Sequence, residues 1–418
     1  MLTNISLLNL SNYTFMKILF ITAEGFDTPN PNNQMAEVMI NQFLDNDFQV
    51  HLIQSHRKGI NPDTPPSLSH KKGFIVDTIS RKVVDKTNFI QRYIDDVRYH
   101  FKALKYWQKV KDADVIYLQS NPTIYFPIFL LKLFKRKTPI VYSIYDVFPG
   151  HAFDIGVIKS KFLYNIFRWI QKPCYKLVNA IVVLSEDMKA IVVNEGAKSD
   201  NVYVVPAWFD VNTAREIPVE ENKFIKKYNI PLNKFYVQYA GTIGYVFNYT
   251  AIIELAKRLK DDSDIVIEII GDGPAKSNMM AEAEASNLSN IIFYPLQPVS
   301  IVPDVYSACD VCVIPLKKGV IGNGTPSKAP ILMACKRVIV NAVEDWSEYS
   351  KMYARYDMGM AVDVYDYDGL AECVRYLKNH PEDAKRMATH AFQYGKEHFS
   401  STRSTKILMD IFKKLISK

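Results

Sequence analysis

The sequence predicts an α/β protein built from two doubly wound domains, and three observations support this prediction. Short, unbroken apolar runs alternate with longer amphipathic segments along the chain, a pattern typical of parallel strands covered on both faces by helices. At 418 residues the chain exceeds what one hydrophobic core usually supports. A polar stretch with a proline at each end, 206–231, separates two halves that each begin the strand, loop and helix pattern anew.

The first half is predicted to carry strands joined by helices. Apolar runs predict strands at 18–22, 49–54, 115–119, 140–145, 180–184 and 201–205, and helical spacing predicts helices at 34–44, 89–111, 125–134 and 159–176, with another that begins after Ser185. The loop 23–33 is rich in Gly, Pro and Asn and follows the first strand, a place where open parallel sheets carry ligands. The stretch 61–86 shows no clear pattern.

The second half repeats the pattern and adds two glycine turns. Strands are predicted at 235–240, 265–270, 291–294, 311–315, 337–340 and 360–364, and helices at 249–260, 275–286, around 302–309, after Lys328 and through most of the chain to 416. The first two of these strands open into loops that contain Gly241, Thr242 and Gly244, then Gly271 and Gly273. Glycine at such turns lets the backbone approach a phosphate, although a tight turn alone also explains it.

One loop of the second half combines turn residues with a lysine. Asn323, Gly324, Thr325 and Ser327 supply the turn and a helix cap, and Lys328 is predicted to lie in the first turn of the next helix. The start of a helix presents free N–H groups, and a lysine beside them favours a phosphate or diphosphate. The alternative is a well-capped connector whose lysine meets only solvent.

A second candidate site follows the strand 140–145. The chain continues there as Asp146-Val-Phe-Pro-Gly-His151. A carboxylate and an imidazole at the carboxyl end of a parallel strand are candidates for acid–base chemistry or for contacts with sugar hydroxyls. The alternative interpretation makes Asp146 a helix cap and His151 an ordinary loop residue.

Composition limits the partners and the compartment. The net charge of +7 is modest, but basic clusters at 102–111 and 132–137 favour an acidic membrane surface or a phosphorylated ligand. Nucleic acid is not expected, because no recognisable binding module accompanies these clusters. The longest apolar stretch, 123–131, is too short to cross a bilayer about 30 Å thick, and no signal peptide is evident.

The five cysteines, an odd number without framework spacing, indicate a reducing compartment. Cys309 and Cys312 have the spacing of a metal or redox half-site, but no second pair lies near them and Cys312 belongs to an apolar strand. We therefore expect packing there. We therefore predict a cytoplasmic protein, and we expect neither a metal ion nor a cofactor.

Several motifs together resemble one enzyme family. They are Tyr239-Ala-Gly-Thr-Ile-Gly244, Ile269-Ile-Gly-Asp-Gly-Pro274, the run 304–315, Pro326-Ser-Lys328 with Met333-Ala334, the run 338–348, and in the first half 180–188 and 146–149. In this combination the sequence from Met16 onward resembles the retaining nucleotide-sugar glycosyltransferases of the GT-B fold, especially glycosyltransferase family 4.

The resemblance implies two Rossmann-like domains that face a cleft, the GT-B architecture. It places an acceptor-side domain at 16–206, a linker at 207–231, a nucleotide-sugar domain at 232–397 and a C-terminal helix, 398–418, that packs back on the first domain. Lys328 and the loop 241–244 would meet the diphosphate.

The same resemblance assigns further site residues. Leu296 and Gln297 stand where such enzymes contact the nucleotide base. Asp146 and Tyr145 occupy the strand end that faces the transferred sugar and the acceptor, and many family members have a histidine where Tyr145 stands.

The chain also departs from the family pattern. The family usually carries two glutamates eight positions apart, and these positions hold Asn323 and Ile331 here. Isoleucine cannot accept a hydrogen bond from a ribose hydroxyl, so Glu344 or Glu348 would have to replace it, or binding is weaker or activity lost. Gly150 stands where a glutamate is common, and Asn32-Asn33 replace a glycine pair.

The sequence leaves three functional hypotheses. The first is a transferase that moves a sugar from a nucleotide-diphosphate sugar to a glycan or lipid-linked acceptor with retention, in surface polysaccharide or glycolipid synthesis. The others are a sugar-nucleotide 2-epimerase and a non-catalytic GT-B subunit that supports a partner enzyme. An enzyme with a lipid-linked acceptor would bind peripherally to the inner face of the cell membrane, and the basic, aromatic segments 89–111 and 125–137 could provide the contact. The alternative is that the apolar residues of these segments pack on their own sheet and the lysines meet solvent.

Overall fold

The computed structural model describes residues 15–26, 31–57, 64–82, 89–107, 111–134, 137–210 and 212–417. These residues form two sheets in which every strand pairing is parallel. The first sheet has seven strands in the order β3-β2-β1-β4-β5-β6-β7, and the second has six in the order β10-β9-β8-β11-β12-β13. Two doubly wound sheets with helices on both faces are the GT-B architecture predicted from the sequence.

The first sheet and its helices follow the chain in this order: β1 (Met16–Ile21), α1 (Pro31–Asp45), β2 (Phe48–Arg57), α2 (Pro66–Ser69), β3 (Phe74–Arg81), α3 (Phe89–Trp107), β4 (Val115–Gln119), α4 (Tyr125–Phe134), β5 (Ile140–Ile144), α5 (Gly150–Asp154), α6 (Lys161–Leu177), β6 (Ala180–Val183), α7 (Glu186–Asn194) and β7 (Val202–Val204). Strands β4, β5 and β6 are buried along their whole length. Their unbroken apolar sequences follow from this burial.

The second sheet and the helices around it comprise α8 (Lys223–Tyr228), β8 (Phe235–Ala240), α9 (Tyr249–Arg258), β9 (Ile265–Ile270), α10 (Lys276–Ala285), β10 (Ile291–Tyr294), α11 (Val302–Ser307), β11 (Val311–Pro315), α12 (Ala329–Ala334), β12 (Val338–Ala342), α13 (Glu348–Arg355), β13 (Gly359–Val362), α14 (Tyr367–Asn379), α15 (Pro381–His398) and α16 (Ser401–Ile416).

Three local features differ from the sequence prediction. Strand β3 lies in the stretch 61–86 that showed no pattern, because an edge strand is only partly covered and its sequence mixes polar with apolar residues. Helix α8 lies inside the stretch predicted as linker, and Asn222 caps it through the amides of Phe224 and Ile225. Lys328 is the N-cap of α12 and not a residue of its first turn.

Helix α16 packs on the first sheet although it follows the second. The ring of Phe412 lies 5.5 Å from the ring of Phe43 on α1 and 6.0 Å from that of Tyr117 on β4. Gln42 also donates a hydrogen bond to Ser401 at 3.1 Å. The end of the chain therefore ties the two halves together on the side of α1.

The two halves also meet where their strands end. The amide of Val147, after β5, donates to the carbonyl of Asn323, after β11, at 2.7 Å. The carboxylate of Asp187 on α7 accepts hydrogen bonds from the amides of Glu348 and Tyr349, at 2.9 and 3.1 Å. These are free N–H groups of the first turn of α13, so a side chain of one half caps a helix of the other.

No helix in the described part of the chain is long and apolar enough to cross a membrane.

Candidate active site

The two glycine turns lie against each other at the carboxyl ends of β8 and β9. Gly241 and Gly271 have φ angles of +148° and +152°, which favour glycine. A methyl group on Gly271 would lie 1.9 Å from the carbonyl oxygen of Gly241, and one on Gly273 would lie 2.4 Å from that of Ile243. The tight-turn alternative therefore accounts for Gly271 and Gly273, since packing between the two loops already requires them.

Lys328 lies beneath the first glycine loop. Its ammonium stands 3.6 Å from the centre of the Tyr239 ring, and a methyl group on Gly241 would lie 2.8 Å from its Nζ. Tyr239 is held in place because its ring stacks on Phe247 at 3.9 Å and its hydroxyl donates to the carbonyl of Thr242 at 2.7 Å. The alternative of a lysine that meets only solvent is wrong.

The environment of Lys328 changes its charge. Burial lowers the pKa of Lys328 to about 7, because a charged ammonium is poorly solvated among protein atoms. Within the described chain no carboxylate opposes this effect, and only the neighbouring Cys312 raises the pKa. Part of the Lys328 surface still reaches solvent. An anion that entered there would restore the charge of the lysine and gain a strong ion pair.

The other predicted residues of this loop have different exposures. Asn323 and Gly324 are buried, Thr325 is half-buried and Ser327 is exposed.

Asp146 and His151 meet at the cleft beside this loop. His151 Nε2 lies 3.7 Å from Asp146 Oδ1, and a methyl group on Gly324 would lie 3.0 Å from the same carboxylate oxygen. The Asp146 side chain is 59% exposed. Pro149 occupies the N-cap position of α5 and His151 lies within that helix, so the alternative of Asp146 as a cap and His151 as a loop residue is wrong.

The side chain of Tyr145 points away from the side of the strand that Asp146 occupies. Its side chain is buried in the first half, where the hydroxyl accepts a hydrogen bond from Gln119 at 3.4 Å, and burial raises its pKa. Side chains alternate along a strand, so Tyr145 lies on the side of Ser143, which also bonds its hydroxyl. Asp146 then turns toward the cleft.

Two departures from the family pattern fit each other in space. Asn323 Nδ2 donates to Asp154 Oδ2 at 2.5 Å across the two halves, and a methyl group on Gly150 would lie 2.6 Å from Asn323 Oδ1. Burial raises the pKa of the Asp154 carboxyl, although His151 and Asn323 oppose this shift. A glutamate at position 323 would face Asp154 as a second carboxylate. The amide at 323 is therefore matched to this surrounding.

A cavity of about 200 Å³ opens beside the Asn323–Asp154 pair. It is lined by Val147, Phe148, Pro149, Gly150, Asp154, Tyr164, Arg168, Gln171, Tyr175, Ile191, Glu195 and Asn323. Arg168 Nε donates to both carboxylate oxygens of Glu195 at 2.8 Å. Burial would raise the pKa of Glu195, but the hydrogen bonds from Arg168 outweigh it and the pKa lies below its usual value.

Sequence reasoning singled out Asn323 and the stretch 146–150 on one side of this cavity but missed the residues that α6 supplies. Arg168 and Gln171 are three positions apart on α6, and Gln171 is buried with one side-chain oxygen unpaired among the described residues. A polar pair on the inner face of an amphipathic helix was the available signal. The distance in sequence from Arg168 to Glu195 concealed their pairing.

The residues expected at the nucleotide base differ from each other. Leu296 is exposed and free to contact a ligand. The Gln297 side chain is buried, donates to the Tyr228 hydroxyl at 2.9 Å and accepts from Lys227 at 3.1 Å. Its amide is thus committed to packing against α8.

Glu344 and Glu348, the two glutamates considered as replacements for the family's ribose-binding glutamate, lie in different surroundings. Glu344 is buried, and one of its carboxylate oxygens accepts the amide of Gly319 while the other has no partner among the described residues. Burial raises its pKa. Glu348 is paired with Lys351 and Arg355 on its own helix.

Ile331 packs half-buried against an apolar cluster, and the cysteine pair is buried. The cluster beneath Ile331 consists of Phe209, Ala214 and Ala334, so an acid at this position would enter apolar surroundings. The thiols of Cys309 and Cys312 are buried with 3.3 Å between their sulfur atoms. The described residues contain no group of three or more metal-ligating side chains, and the buried thiols fit the packing interpretation.

Two family models match the two halves of the chain. "Glycosyltransferase Family 4" matches residues 34–213, and "Glycosyl transferases group 1" matches residues 220–394. Among curated proteins, the "probable glycosyltransferase WbjE" of Pseudomonas aeruginosa is 24% identical over 65% of this chain and 68% of its own length. The "putative colanic acid biosynthesis glycosyl transferase WcaI" of Escherichia coli K12 is 25% identical over 45% of this chain and 46% of its own length.

Solved structures share the fold at low identity. HepE of Anabaena, in complex with UDP and glucose, has a TM-score of 0.73 and 12% identity over 96% of this chain and all of its own. WaaG, a glycosyltransferase involved in lipopolysaccharide biosynthesis, has a TM-score of 0.68 and 13% identity over 93% and 99% of the two chains.

Proposed function

The chain belongs to the GT-B glycosyltransferases of the family 4 type, and from this premise we propose that it transfers a sugar from a nucleotide-diphosphate sugar to a glycan or lipid-linked acceptor with retention, in surface polysaccharide synthesis. The observation that carries the proposal is the position of Lys328. Its enclosed ammonium lies under a glycine loop of one half, and that half faces the carboxylate of Asp146 in the other.

The donor would lie along the ends of β8 and β11. Thr242, Gly244 and the free amides near Ser327 would surround the diphosphate, with Lys328 as its counter-charge. Leu296 would contact the base. As the bond from the anomeric carbon to the diphosphate breaks, negative charge grows on the leaving oxygen, and a lysine already in place stabilises that charge without reorganisation.

The acceptor would enter from the first half. Asp146 and His151 stand where the transferred sugar would lie, and the cavity behind Asn323 is of a size to hold one sugar ring. Asp154, Gln171 and the Arg168–Glu195 pair offer donors and acceptors to its hydroxyl groups. In a retaining transfer the acceptor hydroxyl bonds to the anomeric carbon on the side from which the diphosphate leaves. Its proton would then pass to the departing phosphate oxygen.

A test of this function begins with the donor. Release of nucleoside diphosphate is measured across a panel of uridine, guanosine, adenosine and thymidine diphosphate sugars, and the configuration of the released sugar is read by NMR. Release of a sugar that first appears with the donor's configuration supports the proposal. Conversion to a sugar epimer would favour the epimerase instead, and no turnover of any donor with added acceptors would favour a non-catalytic subunit.

Lys328→Ala tests the site itself. Loss of one charge-assisted hydrogen bond weakens nucleoside diphosphate binding by about 1.5–3 kcal/mol. Lys317→Ala is the matched control, because Lys317 is an exposed lysine that precedes the same loop. Unchanged calorimetric affinity in a folded Lys328→Ala protein would remove Lys328 from the site.

We also propose a cytoplasmic enzyme that binds the inner face of the membrane. On α3, Phe101 is 54% exposed and Lys102 and Lys105 are exposed. The side chains of Leu104 and Trp107 and the residues 108–110 lie outside the described part of the chain. Co-sedimentation with anionic liposomes of the variant in which Lys102, Lys105, Lys109 and Lys111 are replaced by Ser tests this segment, and unchanged binding would exclude it.

A further inference from the structure

Helix α6 carries an apolar ridge on the side that faces solvent. Trp169 and Phe162 are 76% and 74% exposed, the highest values for any large hydrophobic side chain in the described chain. Ile166 is also exposed and lies between them. Positions 162, 166 and 169 follow the three- and four-residue spacing that places side chains on one face of a helix.

The opposite face of α6 supplies the packing that the helix needs. Gln171, Cys174 and Tyr175 are buried there, and Tyr142 on β5 accepts a hydrogen bond from Gln171 at 3.1 Å. The exposed ridge is therefore additional to the contacts that hold α6 on its sheet. Exposed aromatic groups in one stripe cost solubility, and a stripe of this kind marks an interaction surface.

The charged residues of α6 itself are all basic. The α6 sequence contains Lys161, Arg168, Lys172 and Lys176 and no acidic residue. By helical geometry, Lys161, Lys172 and Lys176 lie along one flank of the ridge. Lys172 pairs with Glu195 at 3.5 Å, whereas the ion pairs of the described chain include none from Lys161 or Lys176. Two lysines at the ridge thus present charge to whatever covers it.

The neighbouring helix also exposes large apolar side chains. Helix α4 packs beside α6 and exposes Phe129, Leu133 and Phe134. Lys132 lies among these residues, but it is half-buried and its ammonium donates to Asn179 Oδ1 at 3.0 Å, so α4 adds apolar surface and little free charge.

We propose that the outer face of α6, extended by α4, is a docking surface for an anionic lipid bilayer. Trp and Phe side chains of a surface helix enter the boundary between headgroups and acyl chains, while lysines beside them meet lipid phosphates. Charge complementarity favours this occupant over an apolar protein surface, which would leave Lys161 and Lys176 without partners.

The role of this surface rests on the proposed function, because docking would bring a lipid-linked acceptor to the enzyme. Tyr164 and Arg168 of the same helix line the cavity proposed for the acceptor. A bilayer that held the outer side of α6 would therefore bring a lipid-linked acceptor to within one helix diameter of the site, about 10 Å.

The test is co-sedimentation of the full chain with vesicles of phosphatidylglycerol or of phosphatidylcholine. The protein should bind the anionic vesicles and release as salt rises. Phe162→Ser with Trp169→Ser should lower binding at least tenfold. Lys161→Ser with Lys176→Ser should lower it about twenty-fivefold, since each surface lysine contributes about fivefold.

The matched control is Leu232→Ser with Tyr365→Ser, which removes two comparably exposed apolar side chains outside the first sheet. This control should bind vesicles as the unmodified protein does. The proposal would be overturned if the α6 variants bound anionic vesicles as tightly as the unmodified protein, or if the protein bound phosphatidylcholine and anionic vesicles equally. It would also be overturned if sedimentation velocity showed a self-association that the Phe162 and Trp169 changes abolish. Donor hydrolysis by the α6 variants should match that of the unmodified protein. Vesicle binding without any donor turnover would refute the proposed function and leave the docking surface standing.

Discussion

The lowered pKa of Lys328 predicts that donor binding depends on pH. With a pKa of about 7, the Lys328 side chain is charged in roughly nine of ten molecules at pH 6 and in one of ten at pH 8. A bound diphosphate keeps the ammonium protonated, because the opposite charge favours the charged form. The affinity therefore falls about tenfold between pH 6 and pH 8, or about 1.4 kcal/mol.

The assay is calorimetry with the nucleotide-sugar that the donor panel selects. Its diphosphate is esterified on both sides and does not titrate in this range, unlike the terminal phosphate of a free nucleoside diphosphate. Measurement in buffers of different ionisation enthalpy counts the protons bound with the ligand. We expect about 0.9 proton per ligand at pH 8 and about 0.1 at pH 6, by the same titration.

Lys328→Met serves as the comparison, because it removes the ammonium but keeps a long side chain against Tyr239. Its affinity should be low and nearly independent of pH between 6 and 8. The free energy of unfolding should also depend on pH. Unfolded lysine titrates near 10.4, so the folded enzyme without ligand loses stability as pH falls from about 10 to 7, and Lys328→Met abolishes that loss. An unmodified protein that binds equally at pH 6 and 8 and takes up no proton would refute the assignment.

Three further predictions concern the contacts around the cleft. Asn323→Glu should destabilise the protein by about 1–3 kcal/mol in thermal unfolding, because two carboxylates would share one site, and the added change Asp154→Asn should restore most of the loss. Ile331→Glu should lower the free energy of unfolding by about 1–3 kcal/mol without tightening nucleotide binding, whereas a tighter complex would mean that a ribose pocket persists there. Asp187→Ala should cost about 1–2 kcal/mol and expand the molecule in solution scattering, since it removes the acceptor of two first-turn amides of α13 across the two halves while the Ser347 cap remains; an unchanged scattering profile would contradict that role.

Local sequence pattern determined the fold and pointed to the loop that we propose binds the donor. Strands β8, β9 and β11 were predicted with the bounds that the structure has, because a strand buried on both faces must be apolar at every position. The loop that ends in Lys328 was recognised because turn residues and a lysine at a helix start are encoded within a few positions. The edge strand β3 was missed for the same reason, since partial burial leaves a mixed sequence.

Only the tertiary structure decided which side chains meet. Asn323 finds Asp154, 169 positions away, through the packing of two separate sheets. The direction of Tyr145 into the core and the low pKa of Lys328 likewise depend on neighbours from distant strands. The sequence of α6 alone indicates an ordinary amphipathic helix, and only its packing on the sheet shows that the ridge is the exposed face. Hydrophobic periodicity acts over one or two helical turns, whereas the energy of a buried charge depends on all atoms around it, and those are brought together only by folding.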